Sequence, residues 1–305
     1  MSFQVVTRAP SELGESPFWH PVEQLLYWVD IPGRKIMRAK ADGSSAAESW
    51  AMPSEPGCMA PAAKGGLVIA LRDGIYRADQ WGGELRLLHR FAYDSSRIRF
   101  NDGKADVLGR FWAGTLCEVR TSTAAELFVL DCRDGRPPEA HRMAGHATVA
   151  NGLAWSPDDG TVYWSDTQTQ TIRAWDWEAE SNSMSNQRVF QQFAPKPEGW
   201  VSGMPGYGGR PDGAAMDTLG NYYAAMFEGG QLLKFAPTGE LLARIPTPVL
   251  CPTMPCFGGD DLRTLYITTA REKRPAAELA SMPESGCVFS MRVDTPGLPV
   301  NFFRD

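Results

Sequence analysis

Six stretches of this chain repeat one pattern, and this repetition limits the fold more than any other feature of the sequence. Each stretch has a short apolar run, a turn rich in Gly, Asp or Pro, and a second run that contains Tyr, Trp or Phe. The turns lie at residues 20–21, 64–66, 108–110, 157–160, 218–221 and 258–261. Repeats of about 40–50 residues with several strands each are typical of propeller blades, because one such unit cannot bury its apolar face alone. The repetition therefore predicts an all-β, six-bladed β-propeller.

Strands are predicted most clearly in the fourth repeat, where residues 162–166 and 171–175 are short and rich in β-branched and aromatic side chains. The strands equivalent to the first of these are expected at residues 25–29, 67–71, 110–114, 221–225 and 264–268. A helical turn is expected only at residues 275–280, as a surface insertion in the last repeat. Six repeats of similar size close into one ring, so residues 1–305 are predicted to form a single domain.

Composition argues against several classes of partner. The chain has a formal net charge of −6, and its 30 Lys and Arg residues are scattered, which argues against nucleic acid. No apolar run approaches the roughly 18 residues of a membrane span, and the first residues do not resemble a signal peptide. A cytoplasmic protein with reduced thiols is expected. The six cysteines include no Cys-x-x-Cys pair and the four histidines form no metal-binding group, which argues against a Cys/His zinc site.

Three residues with side-chain oxygen atoms lie at the edges of predicted strands: Glu15, Asn151 and Asp212. Residues at strand entries ring the central channel of a propeller, so these side chains can converge on one divalent cation. The alternative is structural, because Asn-Gly and Asp-Gly are common hairpin turns and Glu15 would then be a solvated loop acid. A separate turn at residues 157–160 already serves the fourth repeat, which favours the functional interpretation of Asn151.

Residues 97–104 alternate between polar and apolar side chains and end in another turn signal. If Arg99 and Asn101 share one face of a strand, they offer donors to a hydroxyl-rich ligand. An edge strand with a solvated arginine is the alternative. Glu118 is expected either at the same mouth or as an exposed loop carboxylate. A Ser-His-Asp mechanism is not favoured, because the chain lacks a Gly-x-Ser-x-Gly sequence.

Five short motifs, in the same order as in the family, resemble the SMP-30/gluconolactonase/regucalcin family. They lie at residues 14–17, 99–104, 109–115, 151–158 and 211–213. The resemblance extends from about residue 11 to about residue 294. It implies a six-bladed propeller with one divalent metal ion in the channel, and hydrolysis of aldonolactones such as gluconolactone, xylonolactone or arabinolactone.

The resemblance also implies roles for individual positions. The positions that match metal ligands are Glu15, Asn151 and Asp212. The positions that match substrate-binding residues are Arg99, Asn101 and Glu118, of which the last has its equivalent only in some members. Asp212 would also act in catalysis by helping to deprotonate the attacking water. The long connection at residues 180–209 is expected to form a lid or rim that alters substrate choice.

Oxygen ligands with open positions suit Ca²⁺, Mg²⁺ or Mn²⁺ and also admit Zn²⁺ or Fe²⁺, so the identity of the metal stays open. Two alternative functions also stay open. One is hydrolysis of organophosphates or aryl esters on the same scaffold, and the other is a non-enzymatic calcium-binding propeller. The expected partner is a small sugar lactone, and the sequence gives no oligomeric state.

Overall fold

The computed structural model describes residues 2–305, whose backbone forms 24 strands and two short helices. In chain order the strands are β1 (Gln4–Thr7), β2 (Gly14–His20), β3 (Leu25–Asp30), β4 (Lys35–Ala39), β5 (Glu48–Ala51), β6 (Cys58–Pro61), β7 (Leu67–Leu71), β8 (Gly74–Ala78), β9 (Arg86–Arg90), β10 (Ile98–Ala105), β11 (Phe111–Cys117), β12 (Ala125–Asp131), β13 (Glu139–Ala147), β14 (Ala150–Trp155), β15 (Thr161–Asp166), β16 (Thr171–Glu178), β17 (Ser183–Gln192), β18 (Arg210–Met216), β19 (Tyr222–Phe227), β20 (Gln231–Phe235), β21 (Leu241–Pro246), β22 (Pro252–Gly258), β23 (Thr264–Thr269) and β24 (Val288–Arg292). The helices are a 3-10 turn at Arg133–Gly135 and α1 at Ala276–Ser281.

The strands form six antiparallel sheets of four strands each, arranged as the blades of a propeller. In every blade one edge strand contacts the corresponding strand of the next blade and lines the central channel. These inner strands are β2, β6, β10, β14, β18 and β22. In five blades the inner strand is the first strand in the chain, and in the sixth blade β22 is the first of the three carboxy-terminal strands, so all six run in the same direction along the channel. The predicted six-bladed, all-β propeller is confirmed.

The ring closes through pairing of the two ends of the chain. The sixth blade has the order β1-β24-β23-β22, so an amino-terminal strand completes a sheet built from the last three strands. In this pairing Gln4 lies opposite Ser290. Further along, the Leu298 amide donates to the Met216 carbonyl at 3.0 Å and the Phe303 amide donates to the Pro61 carbonyl at 2.8 Å. The carboxy-terminal segment therefore joins the second and fifth blades across one end of the channel.

The second strand of each blade agrees closely with the sequence prediction. The strand predicted at residues 67–71 is β7, and the others differ from the predicted ranges by at most three residues at one end. Each predicted turn lies between the first and second strands of its blade. The helical turn expected at residues 275–280 is α1. Within residues 2–305, none of the helices has the length and apolar character that a membrane crossing requires.

Candidate functional site

The inner strands that carry the candidate residues all have a β-bulge beside them. The breaks in pairing register fall between Glu15 and Phe18, Phe100 and Asp102, Asn151 and Ala154, and Pro211 and Ala214. A bulge leaves the extra residue unpaired and changes the direction of neighbouring side chains. The repeated bulge thus gives each of these blades polar groups at the same level of the channel.

The bulge explains the two dipeptides that resemble hairpin turns. Asn151 and Gly152 lie inside β14, and Asp212 and Gly213 lie inside β18, so neither pair is a turn between strands. Gly152 has a φ of 61°, a backbone conformation that favours glycine. A Cβ atom at this position would also overlap the hydroxyl groups of two neighbouring side chains. The turn interpretation is therefore wrong for both dipeptides.

A polar pocket of about 260 Å³ opens at the end of the channel where the inner strands begin. Five of the six predicted site residues line it: Glu15, Arg99, Asn101, Asn151 and Asp212. The sixth, Glu118, does not. Its carboxylate accepts a hydrogen bond of 2.7 Å from Arg72, and its side chain is 43% exposed. A substrate contact by Glu118 stays a prediction, since this side chain is held by an arginine outside the pocket.

Two carboxyl groups of the pocket are buried, at 3% exposure for Glu15 and 7% for Asp212, and a third, that of Glu272, pairs with Lys273. Neither Glu15 nor Asp212 forms an ion pair with Lys or Arg within residues 2–305, and Glu15 Oε2 has no hydrogen-bond partner there. Burial, followed by the charges of Asp212 and Asp102, holds the pKa of Glu15 well above its usual range. Burial also raises the pKa of Asp212 to about 8. Both groups are therefore costly to ionise unless a cation is nearby.

A chain of hydrogen bonds fixes the amide groups of the pocket. Arg99 Nη1 donates to Asn101 Oδ1 at 3.1 Å, and Asn101 Nδ2 donates to Asn151 Oδ1 at 3.0 Å. Asn151 Nδ2 in turn donates to Thr167 Oγ1 at 2.7 Å. With its nitrogen bound to Thr167, Asn151 keeps its oxygen on the side of Asn101, where one lone pair is still free.

These donors fit a hard divalent cation. Two buried carboxylates without cationic partners and an amide oxygen are the ligand types that Ca²⁺, Mg²⁺ and Mn²⁺ prefer. Within residues 2–305, no three His, Cys, Asp or Glu side chains are grouped to hold a metal ion. The candidate set of Glu15, Asn151 and Asp212 therefore depends on the amide oxygen as its third protein ligand and leaves positions for water or substrate.

Sequence reasoning missed the cationic rim of the pocket, which contains Arg120, Arg210, Lys273 and Arg274. No local motif marks these residues, because they come from loops and strand ends of different blades. The expected lid at residues 180–209 is shorter than predicted, since β17 occupies Ser183–Gln192. The rest of this connection does reach the rim, where Lys196 lies 3.0 Å from Glu228 and Glu228 lies 3.6 Å from Arg210.

A second cavity, of about 270 Å³, lies at the opposite end of the channel. It is lined mainly by apolar side chains from the later parts of the inner strands and by residues 298–301 of the carboxy-terminal segment. The paired acids and amides occur in the polar pocket, so the chemistry of the molecule is expected there.

Comparisons with known proteins identify the family of this chain. Residues 13–271 match the family model described as "SMP-30/Gluconolactonase/LRE-like region". The chain is 42% identical to 6-deoxy-6-sulfogluconolactonase from Pseudomonas putida, over 97% of this chain and 96% of that protein. It is 32% identical to regucalcin from Danio rerio, with 97% and 96% covered. The structure of a calcium-binding regucalcin from Agrobacterium tumefaciens has the same fold, with a TM-score of 0.88, 24% identity and coverage of 99% and 97%. The chain belongs to the SMP-30/gluconolactonase/LRE-like family.

Proposed function

We propose that this protein hydrolyses sugar lactones to the open-chain acids in the polar pocket, with a divalent cation held by Glu15, Asn151 and Asp212. Family membership supports lactone hydrolysis as the class of reaction. The observation that carries the proposal is the pair of buried carboxyl groups, Glu15 and Asp212, that share one small pocket and form no ion pair within residues 2–305. Buried carboxylates of this kind are expected to be paired or bound to metal.

The size of the pocket supports a small substrate. A volume of about 260 Å³ is slightly below the roughly 300–1,000 Å³ of typical ligand sites. A molecule the size of one sugar ring fits this space, whereas a polymer would need an open groove. The polar lining of Arg99, Asn101 and Asn151 offers donors and acceptors for ring hydroxyl groups.

In the proposed mechanism Arg99 and Asn101 bind the hydroxyl groups of the lactone and hold its carbonyl group toward the two acids. A bound divalent cation would polarise the carbonyl group and lower the pKa of a water molecule, which is worth several kcal/mol. Asp212 takes a proton from that water as its oxygen attacks the carbonyl carbon. The tetrahedral intermediate then collapses, the bond to the ring oxygen breaks, and Asp212 returns the proton to the leaving alkoxide.

The test is a panel of lactones measured against a panel of divalent ions after treatment with a chelator. We expect the chelated protein to stay folded, to lose ring opening and to regain it with one or more ions. Asp212→Asn should abolish turnover, whereas the exposed acid change Asp261→Asn should not alter it. If chelation unfolds the protein and no lactone opens faster than it does spontaneously, the ion is structural and the proposal is wrong.

A further inference from the structure

Five cationic side chains line the polar pocket, and three of them already have acidic partners. Lys273 pairs with Glu272 at 2.7 Å, and Arg274 pairs with Glu278 at 2.7 Å. Arg210 lies 3.6 Å from Glu228. The remaining two, Arg99 and Arg120, form no ion pair within residues 2–305. Their positive charge is therefore available to a ligand.

Arg99 is buried, and within residues 2–305 no carboxylate lies at ion-pair distance from its guanidinium group. The residue is 7% exposed, and its Nη1 donates to the Phe100 carbonyl at 2.8 Å and to Asn101 Oδ1 at 3.1 Å. The nearby acids Glu55 and Glu118 are bound to Arg72, at 2.9 and 2.7 Å. Arg72 thus forms the close ion pairs with these two carboxylates, and their charges only partly offset the effect of burial on the pKa of Arg99.

Arg120 stands at the mouth of the pocket, where it lines the opening but remains exposed. It has no side-chain hydrogen bond within the part of the chain that the structure describes. Burial and then the charge of Arg120 lower the pKa of Arg99 to about 10. Burial and then the charge of Arg210 lower the pKa of Arg120. Three guanidinium groups therefore repel one another around one opening, and an anion there would relieve the repulsion.

We propose that the lactone bound here carries an oxyanionic substituent, such as a sulfonate or a phosphate, and that Arg120, with Arg99 behind it, recognises that group. This inference rests on the proposed function. The positions of the acids and of Arg120 along the depth of the pocket fix the orientation of the substrate. The acids Glu15 and Asp212, which would hold the cation that polarises the carbonyl group, are buried, so the carbonyl end lies deep and the anionic end lies at the mouth. Guanidinium groups suit this role because they bind oxyanions with two parallel hydrogen bonds.

The first test compares gluconolactone with its 6-phospho, 6-deoxy-6-sulfo and 6-carboxylate counterparts. We expect the wild-type protein to show a kcat/KM at least tenfold higher for one or more of the anionic lactones than for gluconolactone. Arg120→Gln should reduce that preference at least tenfold, mainly through KM, and Arg120→Lys should restore part of it. The preference should also weaken with added salt, because charges at a pocket mouth are screened. The anionic lactones whose kcat/KM exceeds that of gluconolactone identify the kind of anion that the site binds.

Arg244→Gln is the matched control, because Arg244 is an exposed arginine on the outer strand β21 and far from the channel. It should leave the preference unchanged. A wild-type protein that opens gluconolactone at least as well as the anionic lactones would overturn the inference but leave the proposed function intact. If Arg120→Gln keeps the full preference for anionic lactones over gluconolactone, the inference is also overturned and the proposed function stays intact.

A binding measurement separates the inference from turnover altogether. By calorimetry, the product 6-phosphogluconate should bind the wild-type protein at least tenfold more tightly than gluconate, and Arg120→Gln should remove the difference. If no lactone is opened but this difference is present, the proposed function fails and the anion site stands. Equal binding of the two acids would refute the anion site.

Discussion

Replacing Asp212 by Asn should make the cation-free protein more stable at neutral pH. The carboxyl group is 7% exposed. Burial raises its pKa from 3.8 to about 8, with Arg210 opposing the shift and Asp102 adding to it. The folded protein therefore keeps a proton on Asp212 at pH 7, and the unfolded chain loses it. Asparagine has nearly the same shape and no charge to desolvate, so it removes this cost of folding.

The size of the effect follows from the two pKa values. Where the folded state binds more protons than the unfolded state, the free energy of unfolding falls as pH rises. For Asp212 this window runs from 3.8 to about 8. Each pH unit inside it costs about 1.4 kcal/mol. Relative to the variant, the wild-type protein should be less stable by about 2 kcal/mol at pH 5 and about 4 kcal/mol at pH 7.

Urea unfolding of both proteins in the presence of a chelator, at several pH values from 5 to 8, measures this difference. A second acid provides the control. Asp217 is fully buried but accepts hydrogen bonds from the Asn221 amide and side chain and lies 3.2 Å from Lys234. Asp217→Asn should therefore lower the free energy of unfolding by about 1–3 kcal/mol, since it weakens a buried network.

The divalent ion should narrow the difference of about 4 kcal/mol between the two proteins at pH 7. An ion at about a hundred times its dissociation constant adds about 2.7 kcal/mol to the protein that binds it, and only wild type keeps both acids. Equal stability of wild type and Asp212→Asn at pH 7 without metal would refute the reasoning. So would a wild-type stability that rises from pH 5 to pH 7 by more than the variant does.

Two further changes test other parts of the site. Gly152→Ala should lower the free energy of unfolding by about 2–4 kcal/mol, because the residue has a positive φ and its new methyl group would overlap two hydroxyl groups; an unchanged melting temperature would argue against the bulge geometry. Glu118→Gln should change KM for any lactone less than twofold, because Arg72 holds that carboxylate away from the pocket; a tenfold rise in KM would support the substrate contact that the family resemblance implies.

The fold could be predicted from the sequence because the same pattern of turn and apolar strand is repeated in every blade. The second strand of each blade is buried on both faces, so it is apolar and follows a clear turn in all six units. The outer strands carry no such signal. β17, at Ser183–Gln192, is mostly exposed, and its polar sequence resembles a loop. This is why residues 180–209 appear to be one long connection when a third of that stretch is a strand.

Closure of the ring could not be read from local patterns either. β1 has only four residues, Gln4–Thr7, and its partner β24 lies more than 280 residues later in the chain. A strand this short has little propensity of its own and forms because it completes a sheet. Pairing between such distant segments depends on closure of the whole ring, and no local sequence pattern specifies it.

The candidate site divides in the same way. Glu15, Asn151 and Asp212 occupy related positions in repeated blades, so an argument from the repeat alone brings them to one end of the channel, and the structure does bring them into one pocket. Their roles as ligands stay predictions. Arg120 has no counterpart in the repeat. Whether Arg99 has a close acidic partner depends on the pairing of Arg72 with Glu118, a contact between blades that spacing in the sequence does not reveal.

The pocket combines two arrangements that are each unfavourable in the empty protein. In the described part of the chain, two acids without ion pairs, Glu15 and Asp212, lie in its depth, and two arginines without ion pairs, Arg99 and Arg120, line it as well. These four side chains come from three different blades, and the backbone of the propeller keeps the two carboxyl groups and the two guanidinium groups from forming close ion pairs. Such a pocket suits a ligand that has a different chemical group at each end. A lactone with a polarisable carbonyl group at one end and an anion at the other meets both, which is why the two proposals support each other.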